Sequence, residues 1–296
     1  MHPRNRHAGR YDFPALLRAL PELAAFTQPS PTGDPTIDFA NPTAVLALNR
    51  ALLRAHYALK DWQLPSGYLC PPIPGRVDYL HHLADLLAAD AGEIPRGASI
   101  RVLDIGTGAN CIYPLLGAAE YGWSFVGTET DAAAVRAAQA NVDFNPALAG
   151  RIEVRRQTHS TALFEGVTAA RETFAATICN PPFHASAAEA RAGTARKVRN
   201  LGGNARAPAL NFGGRANELW CPGGEAAFVR RMIRESADRP ELSRWFTTLV
   251  SKRENLGTLE RSLNQVRPAQ TRIIPMAQGQ KQSRVLAWTF QSGSAA

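Results

Sequence analysis

Apolar positions along the chain follow two different periods, and the change comes near Ser99. Before it, apolar side chains recur at the spacing of amphipathic helices. Helices are predicted over 11–26, 42–57 and 76–89. Proline-rich residues 27–36 and 65–75 predict loops between them, and the polar, basic residues 1–10 predict a mobile start. We therefore expect residues 1–95 to form a helical N-terminal module.

After Ser99, short β-branched runs alternate with segments of helical spacing. Strands are predicted over 100–105, 124–129, 152–156, 176–179, 245–250, 271–274 and 285–290. Helices are predicted over 111–121 and 132–143, the second with Asp131 as its N-cap. This alternation indicates a doubly wound, mostly parallel sheet, and the short connection between the last two strands predicts that one of them runs antiparallel. Residues 96–296 should thus form a seven-stranded α/β domain.

Composition places the chain among globular proteins, with 45% hydrophobic and 20% charged residues. No apolar run approaches the ~18 residues that a membrane helix needs, and residues 1–10 lack the apolar core of a signal peptide. These features predict a cytoplasmic protein without a membrane partner. The four cysteines are far apart and form no CxxC pair, so no metal site is expected.

The net charge of +8 and the isoelectric point near 9.7 favour a polyanionic partner such as a nucleic acid. Basic residues crowd the first ten positions and a Gly/Asn/Ala-rich stretch over 191–215. The candidate RNA contacts are Arg4, Arg6, Arg10, Lys197 and Arg199. The alternative is a solubilising tail and an ordinary surface loop, with a basic balance that merely follows from an Arg-rich composition.

The first predicted strand ends in a D-x-G-x-G motif formed by Asp104, Gly106 and Gly108. Glycines there permit a sharp turn and close approach of a ligand at the carboxyl ends of the strands. The second strand ends in Glu129, whose carboxylate can accept hydrogen bonds from both hydroxyls of a ribose. The third glycine of the dinucleotide fingerprint and the P-loop lysine are absent. An adenosyl cofactor and a dinucleotide both remain possible on these residues alone.

The fourth predicted strand leads into Asn180, Pro181, Pro182 and Phe183. The exocyclic amine of adenine is a poor nucleophile, because its lone pair is delocalised into the ring. The Asn180 side-chain oxygen and the Pro181 carbonyl are suited to accept its two N–H bonds, and two prolines fix that backbone in advance. Phe183 offers a face on which an extruded base can stack. The motif therefore predicts methylation of an amino group on a planar substrate.

Six stretches of the chain resemble the bacterial RlmF family. They are HPRNRHAGRYDFPAL (2–16), LCPPIPGRVDYLHHLADLL (69–87), LDIGTGANCIYPLLG (103–117), NPPFHAS (180–186), LNFGGRANELWCPGGE (210–225) and MAQGQKQSR (276–284). The resemblance implies a class I, Rossmann-like methyltransferase fold with S-adenosylmethionine as the methyl donor. It also implies N6 methylation of adenine 1618 in 23S ribosomal RNA, either in the free RNA or in a large-subunit assembly intermediate. A eukaryotic relative of the family, methyltransferase-like protein 16, acts on structured small RNAs.

The resemblance also implies individual roles. Gly106 and Gly108 would lie near the methionine part of the cofactor, Glu129 would bind its ribose, and Arg76 would bind its carboxylate through a bidentate contact. Asp104 and Asn180 would complete the cofactor site. A side chain within 157–160 would approach the adenine of the cofactor.

Other functions fit parts of this pattern. A related enzyme could methylate another structured RNA, adenine in DNA or a glutamine side chain, although NPPY is more usual than NPPF for the last two. A catalytically inactive RNA-binding protein could also retain the fold. The intact set of glycines, acidic residues and NPPF disfavours that alternative.

Overall fold

The computed structural model describes residues 1–159, 161–189, 216–278 and 281–292. The N-terminal region contains more than helices. Its elements are α1 (Phe13–Ala19), a 3₁₀ helix (Pro21–Phe26), β1 (Thr27–Pro29), β2 (Pro35–Ile37), α2 (Pro42–Tyr57) and α3 (Ile73–Ala91).

Two predictions for this region were wrong. The single helix over 11–26 ends at Ala19, because Pro21 has no N–H for an intrahelical bond and holds Leu20 in a non-helical conformation. The stretch 27–36 is not a plain loop. It forms most of a small antiparallel hairpin of β1 and β2, closed by a hydrogen bond from Ser30 N to Asp34 O of 2.7 Å.

Helix α3 begins three residues earlier than its spacing predicted, at Ile73. Pro74 lies in its first turn, where the missing N–H costs no intrahelical bond. Arg76 therefore belongs to the start of a buried helix rather than to the end of a connecting loop. Helix α2 matches its predicted bounds.

The α/β prediction is confirmed by a seven-stranded sheet. Its strands are β3 (Arg101–Ile105), β4 (Ser124–Glu129), β5 (Ile152–Arg156), β6 (Phe174–Cys179), β7 (Ser243–Val250), β8 (Gln270–Gln278) and β9 (Lys281–Thr289). They lie in the order β5-β4-β3-β6-β7-β9-β8. Strands β3 to β7 pair in parallel, and β9 runs antiparallel to both of its neighbours.

Helices flank the sheet on both faces. They are α4 (Ile112–Tyr121), α5 (Ala132–Asp143), α6 (Ala216–Leu219), α7 (Gly224–Asp238) and α8 (Leu256–Val266). Asp131 caps α5 as predicted, since its side chain accepts a hydrogen bond from Ala133 N. Shorter 3₁₀ turns lie at Pro146–Leu148 and Arg253–Asn255.

Neighbouring residues of one strand enter different hydrophobic clusters, as the alternation of side chains along a strand requires. Val102 joins a cluster that also contains Leu16 and Leu52 from the N-terminal region. Leu103 joins the cluster on the opposite face, with Phe246. The N-terminal region is thus packed into the same core as one face of the sheet. Within the part of the chain that the structure describes, no helix is both long enough and apolar enough to cross a membrane.

The first residues are held in place, which corrects the prediction of a mobile start. His2, Asn5 and His7 are buried. The Asn5 side chain donates hydrogen bonds of 2.9 Å to both Pro74 O and Asp78 Oδ1, and His2 N donates to the same Asp78 oxygen at 2.7 Å. The buried polar side chains of this segment thus find their partners on helices α2 and α3, with His7 Nε2 2.8 Å from the Tyr57 hydroxyl.

Candidate active site

The carboxyl ends of β3 and β4 form one wall of a cavity of about 610 Å³. The backbone turns sharply there, with Gly106 at φ 75° and Gly108 at φ 63°, both in the left-handed region that favours glycine. The N–H groups of Gly106 and Thr107 donate to Thr128 O at 3.0 and 2.9 Å. The glycine motif thus shapes the cavity wall from backbone, as the sequence predicted.

Glu129 faces the glycine turn and is 7% exposed. Its carboxylate accepts hydrogen bonds from Gly108 N at 3.2 Å, Thr130 N at 2.7 Å and Asp131 N at 3.0 Å. These contacts hold the carboxylate on the cavity wall. Thr130 Oγ1 also donates to Glu129 Oε1, at 3.1 Å.

Arg76 lies between this cavity and a second one of about 310 Å³. Its Nη1 donates to the Tyr113 hydroxyl at 2.8 Å, and its guanidinium lies over the Tyr113 ring at 5.4 Å from the centroid. The buried Nε has no hydrogen-bond partner among the described residues. The structure therefore places at the cavity a guanidinium group whose Nε–H has no partner among the described residues.

Asp104 is buried just behind the cavity wall rather than on it. Neither carboxylate oxygen has a hydrogen-bond partner among the described residues. Burial raises the pKa of Asp104 to about 7, although the Thr107 hydroxyl and the guanidinium of Arg76 act in the opposite direction. This carboxyl group can therefore hold a proton at neutral pH.

Of the residues 157–159 that the structure describes after β5, Gln157 lies on the wall of the larger cavity. Its Oε1 accepts from His159 N and its Nε2 donates to Glu165 O, both at 2.8 Å. Ser160 lies outside the described residues. The same wall continues through Thr161, Ala162 and Leu163, which the sequence had not indicated.

Asn180 follows β6 directly and borders both cavities. Its Oδ1 is buried and has no hydrogen-bond partner among the described residues. Pro181 is buried, Pro182 lines the larger cavity, and the half-buried Phe183 lines the smaller one. The tetrapeptide therefore lies where the two cavities meet, with an unused acceptor at the junction.

The chain after the tetrapeptide is joined to a segment in which the sequence analysis named no site residue. His184 pairs with Trp220, and the bonds from His184 N to Leu219 O and from Cys221 N to His184 O are both 3.1 Å long. Trp220 and Cys221 also line the larger cavity, as do Phe228 and Arg231. The one signal for this wall was the stretch LNFGGRANELWCPGGE.

The three described candidate RNA contacts are all in ion pairs on the surface. Arg4 pairs with Asp85 at 2.6 Å, Arg6 pairs with Glu120 at 2.7 Å, and Arg10 pairs with Asp34. Lys197 and Arg199, with the rest of the basic stretch over 191–215, lie outside the described residues. Among the residues that are described, no group of His, Cys, Asp and Glu has the arrangement of a metal site.

Known proteins similar to this chain share both its sequence and its fold. A family model described as RNA methyltransferase matches residues 1–292. The ribosomal RNA large subunit methyltransferase F of Ectopseudomonas mendocina is 57% identical over 299 residues, covering 100% of this chain and 90% of that protein. The Klebsiella pneumoniae protein of the same name is 57% identical over 290 residues, covering 98% and 94%.

Solved structures of human METTL16 are similar over almost the whole chain. The catalytic domain in complex with the MAT2A 3'UTR hairpin 1 has a TM-score of 0.82 at 32% identity, covering 99% of this chain and 96% of that one. The N-terminal domain in complex with SAH has a TM-score of 0.78 at 29% identity, covering 99% of both chains. With the cavities at the strand ends, these similarities show that the chain belongs to the RNA methyltransferase family that includes ribosomal RNA large subunit methyltransferase F.

Proposed function

We propose that this chain transfers a methyl group from S-adenosylmethionine to the exocyclic N6 of an adenine in large-subunit ribosomal RNA. The observation that carries the proposal is the buried, unpartnered Oδ1 of Asn180 at the junction of two cavities. One cavity suits the methyl donor and the other suits the base. The family resemblance points to adenine 1618 of 23S ribosomal RNA as the target.

The larger cavity fits the donor because its walls offer complementary groups. Glu129 can accept from ribose hydroxyls, and Arg76 has an unused N–H for a carboxylate. Gln157 lies on the wall beside the third strand end, where the adenine of the cofactor is expected. The cofactor supplies an electrophilic methyl group. A human relative with the same fold has been crystallised with SAH.

The smaller cavity fits a planar base. Phe183, Leu249 and Met276 give it apolar walls, and Asn180 borders it. Its volume of about 310 Å³ is at the lower end of the range of roughly 300–1,000 Å³ for small-ligand pockets. Phe183 would stack on the base while Asn180 Oδ1 and the Pro181 carbonyl accept the two N–H bonds of the amine. These contacts localise the nitrogen lone pair and position it, and the amine then releases a proton to solvent.

Ribosomal RNA is proposed as the substrate because relatives at 57% identity carry that substrate in their names. The net charge of +8 suits a polyanion. The arginines of the N-terminal module, Arg4, Arg6 and Arg10, would leave their carboxylate partners and bind RNA phosphates instead. Lys197 and Arg199 would contribute further phosphate contacts.

The test is transfer of a labelled methyl group to unmodified 23S ribosomal RNA, a DNA duplex and a protein extract in parallel. Wild-type protein should label the RNA, and mapping should place N6-methyladenine at one position. Asn180→Ala should abolish labelling while the Kd for S-adenosylmethionine stays largely unchanged. Glu129→Ala should instead weaken cofactor binding, by on the order of 1.5–3 kcal/mol for a charge-assisted contact.

Near-normal turnover of Asn180→Ala at saturating RNA would contradict the role of the tetrapeptide. Labelling of DNA or protein in place of RNA would contradict the substrate assignment. The two variants control for each other, because Asn180→Ala is expected to remove methyl transfer with cofactor affinity largely intact, whereas Glu129→Ala is expected to weaken cofactor binding.

A further inference from the structure

The wall of the smaller cavity contains a hydroxyl group, that of Ser251, which follows β7 directly. Strands β6 and β7 are parallel neighbours, so their carboxyl ends open at the same edge of the sheet. Asn180 follows β6 and lines the same cavity. Ser251 and Asn180 therefore line one cavity from adjacent strand ends.

Ser251 is held by Glu225, a carboxylate in the first turn of α7 that is only 1% exposed. Glu225 Oε1 accepts from Ser251 N at 2.7 Å and from Ser251 Oγ at 2.6 Å. Its Oε2 accepts from Lys252 N at 3.2 Å and from Asn255 Nδ2 at 2.6 Å. These four contacts of the buried carboxylate all go to the residues that follow β7.

These contacts fix the direction of the Ser251 hydroxyl proton. The backbone N–H groups and the Asn255 amide can only donate, so they engage both Glu225 oxygens as acceptors. The Ser251 hydroxyl must then donate its single proton to Glu225 as well. Only the lone pairs of Ser251 Oγ remain for the cavity, and the hydroxyl acts there as an acceptor.

The glycine before Glu225 places α7 against the tetrapeptide loop. Gly224 has a φ of 63°, and a Cβ at this position would come within 3.2 Å of Ala185 N. The residue pair Gly224-Glu225 therefore contacts the chain that follows Phe183 and, at the same time, the turn that carries Ser251. The first turn of α7 therefore sets the position of the tetrapeptide loop relative to the turn that carries Ser251.

We propose that Glu225 and Ser251 together determine the specificity of the cavity for a base with an amino group at position 6. Glu225 is the positioning residue, and Ser251 presents the acceptor. Asn180 Oδ1 and the Pro181 carbonyl accept the two N–H donors of an exocyclic amine, and Ser251 Oγ adds acceptor lone pairs beside them. A carbonyl at position 6 has no N–H to donate. Its oxygen lone pairs would instead face the lone pairs of these acceptors, which is unfavourable in a site without water.

This inference rests on the proposed function, and its test separates the two. A short RNA containing the target site is made with adenine or with hypoxanthine at the target position, and the Kd of each is measured with the cofactor product bound. Wild-type protein should bind the adenine RNA more tightly. In Ser251→Ala and Glu225→Gln the ratio of the two Kd values should fall by roughly three- to tenfold, because the unfavourable contact between Ser251 Oγ and the carbonyl at position 6 is removed, a change about the size of one polar contact.

Glu254→Gln is the matched control. Glu254 lies in the same turn, is exposed, and loses the same charge in the variant. Its ratio of Kd values should equal that of wild type. Ser251→Ala keeps the backbone contact to Glu225, so it carries the test even if Glu225→Gln fails to fold.

An unchanged ratio in Ser251→Ala would overturn the inference while wild-type methylation of adenine still supports the proposed function. Wild-type protein that neither methylates adenine nor prefers it to hypoxanthine would contradict the proposed function itself. A lower ratio accompanied by an equal loss of cofactor affinity would also overturn the inference, because a general collapse of the site would then explain the result.

Discussion

At the scale of single residues, Asp104 is the clearest case of burial changing the chemistry of a side chain. Its carboxyl group is 1% exposed, and neither oxygen has a hydrogen-bond partner of normal geometry among the described residues. A charge in that position is costly because water no longer solvates it. Burial therefore raises the pKa to about 7, far above the range of an ordinary carboxyl group.

Replacing Asp104 by Asn removes the titrating group and keeps the shape of the side chain. Between the pKa of about 3.9 in an unfolded chain and the folded value of about 7, only the folded state keeps the proton. Wild-type stability should thus fall by roughly 1.4 kcal/mol per pH unit as the pH rises through this window. In urea unfolding without cofactor, the free energy of unfolding of Asp104→Asn should therefore increase relative to that of wild type as the pH rises through the same window. A constant difference between the two proteins at all pH values would contradict the shifted pKa.

Residues of the site differ in how far the sequence could identify them. Gly106, Gly108 and Asn180 occur in short motifs whose chemistry is local, so spacing alone placed them at strand ends. Ser251 and Glu225 have no such motif. Their pairing depends on a contact between the turn after β7 and the start of α7, which only the folded chain brings together.

At the scale of elements, the segment before α1 combines buried polar residues with exposed arginines. Asn5 and His7 are buried, whereas the Arg10 side chain is 81% exposed and Arg6 is 42% exposed. The positions of the basic residues can be read from the sequence. The hydrogen bonds to α3 cannot, because they join residues about 70 positions apart. A segment interpreted as a mobile tail is therefore part of the fold.

The arginines of this segment can be tested without disturbing its buried contacts. Replacing Arg4, Arg6 and Arg10 together by Gln should weaken RNA binding. It should also reduce the slope of log K against log salt by up to about 2, at about 0.7 per phosphate contact. The thermal midpoint should change little, since exposed ion pairs each contribute about 0–1 kcal/mol. Replacing exposed Arg18 on α1 by Gln provides the matched control. An unchanged slope in the triple variant would leave these ion pairs with a structural role only.

At the scale of the whole molecule, the hydrophobic core is continuous across the domain boundary predicted at residue 95. Leu16 and Leu52 belong to the same cluster as Val102 and Val285. Periodicity could predict the helices and the sheet separately, because each pattern is local. It could not predict that they bury their apolar faces against each other, since that depends on contacts far apart in the chain.

A polar contact reinforces this shared core. Asn141 on α5 is 1% exposed, and its side chain accepts from Gln63 N and donates to Gln63 O, both at 2.8 Å. It also donates to Ala109 O, at 3.1 Å, in the glycine turn beside the larger cavity. One side chain therefore joins the connector after α2 to the methyltransferase sheet.

We expect the two regions to unfold together and Asn141→Ala to destabilise both. In wild-type protein, urea unfolding followed by tryptophan fluorescence and by far-UV circular dichroism should give one coincident transition, because Trp62 and Trp245 are buried in the same cluster. Asn141→Ala should lower the free energy of unfolding by at least about 1–3 kcal/mol, since Gln63 and Ala109 lose buried hydrogen-bond partners. Gln139→Ala, an exposed position on the same helix, should leave the midpoint almost unchanged. Two separate wild-type transitions would instead show that the N-terminal module is an independently folding unit, and that Asn141 links two domains rather than stabilising one core.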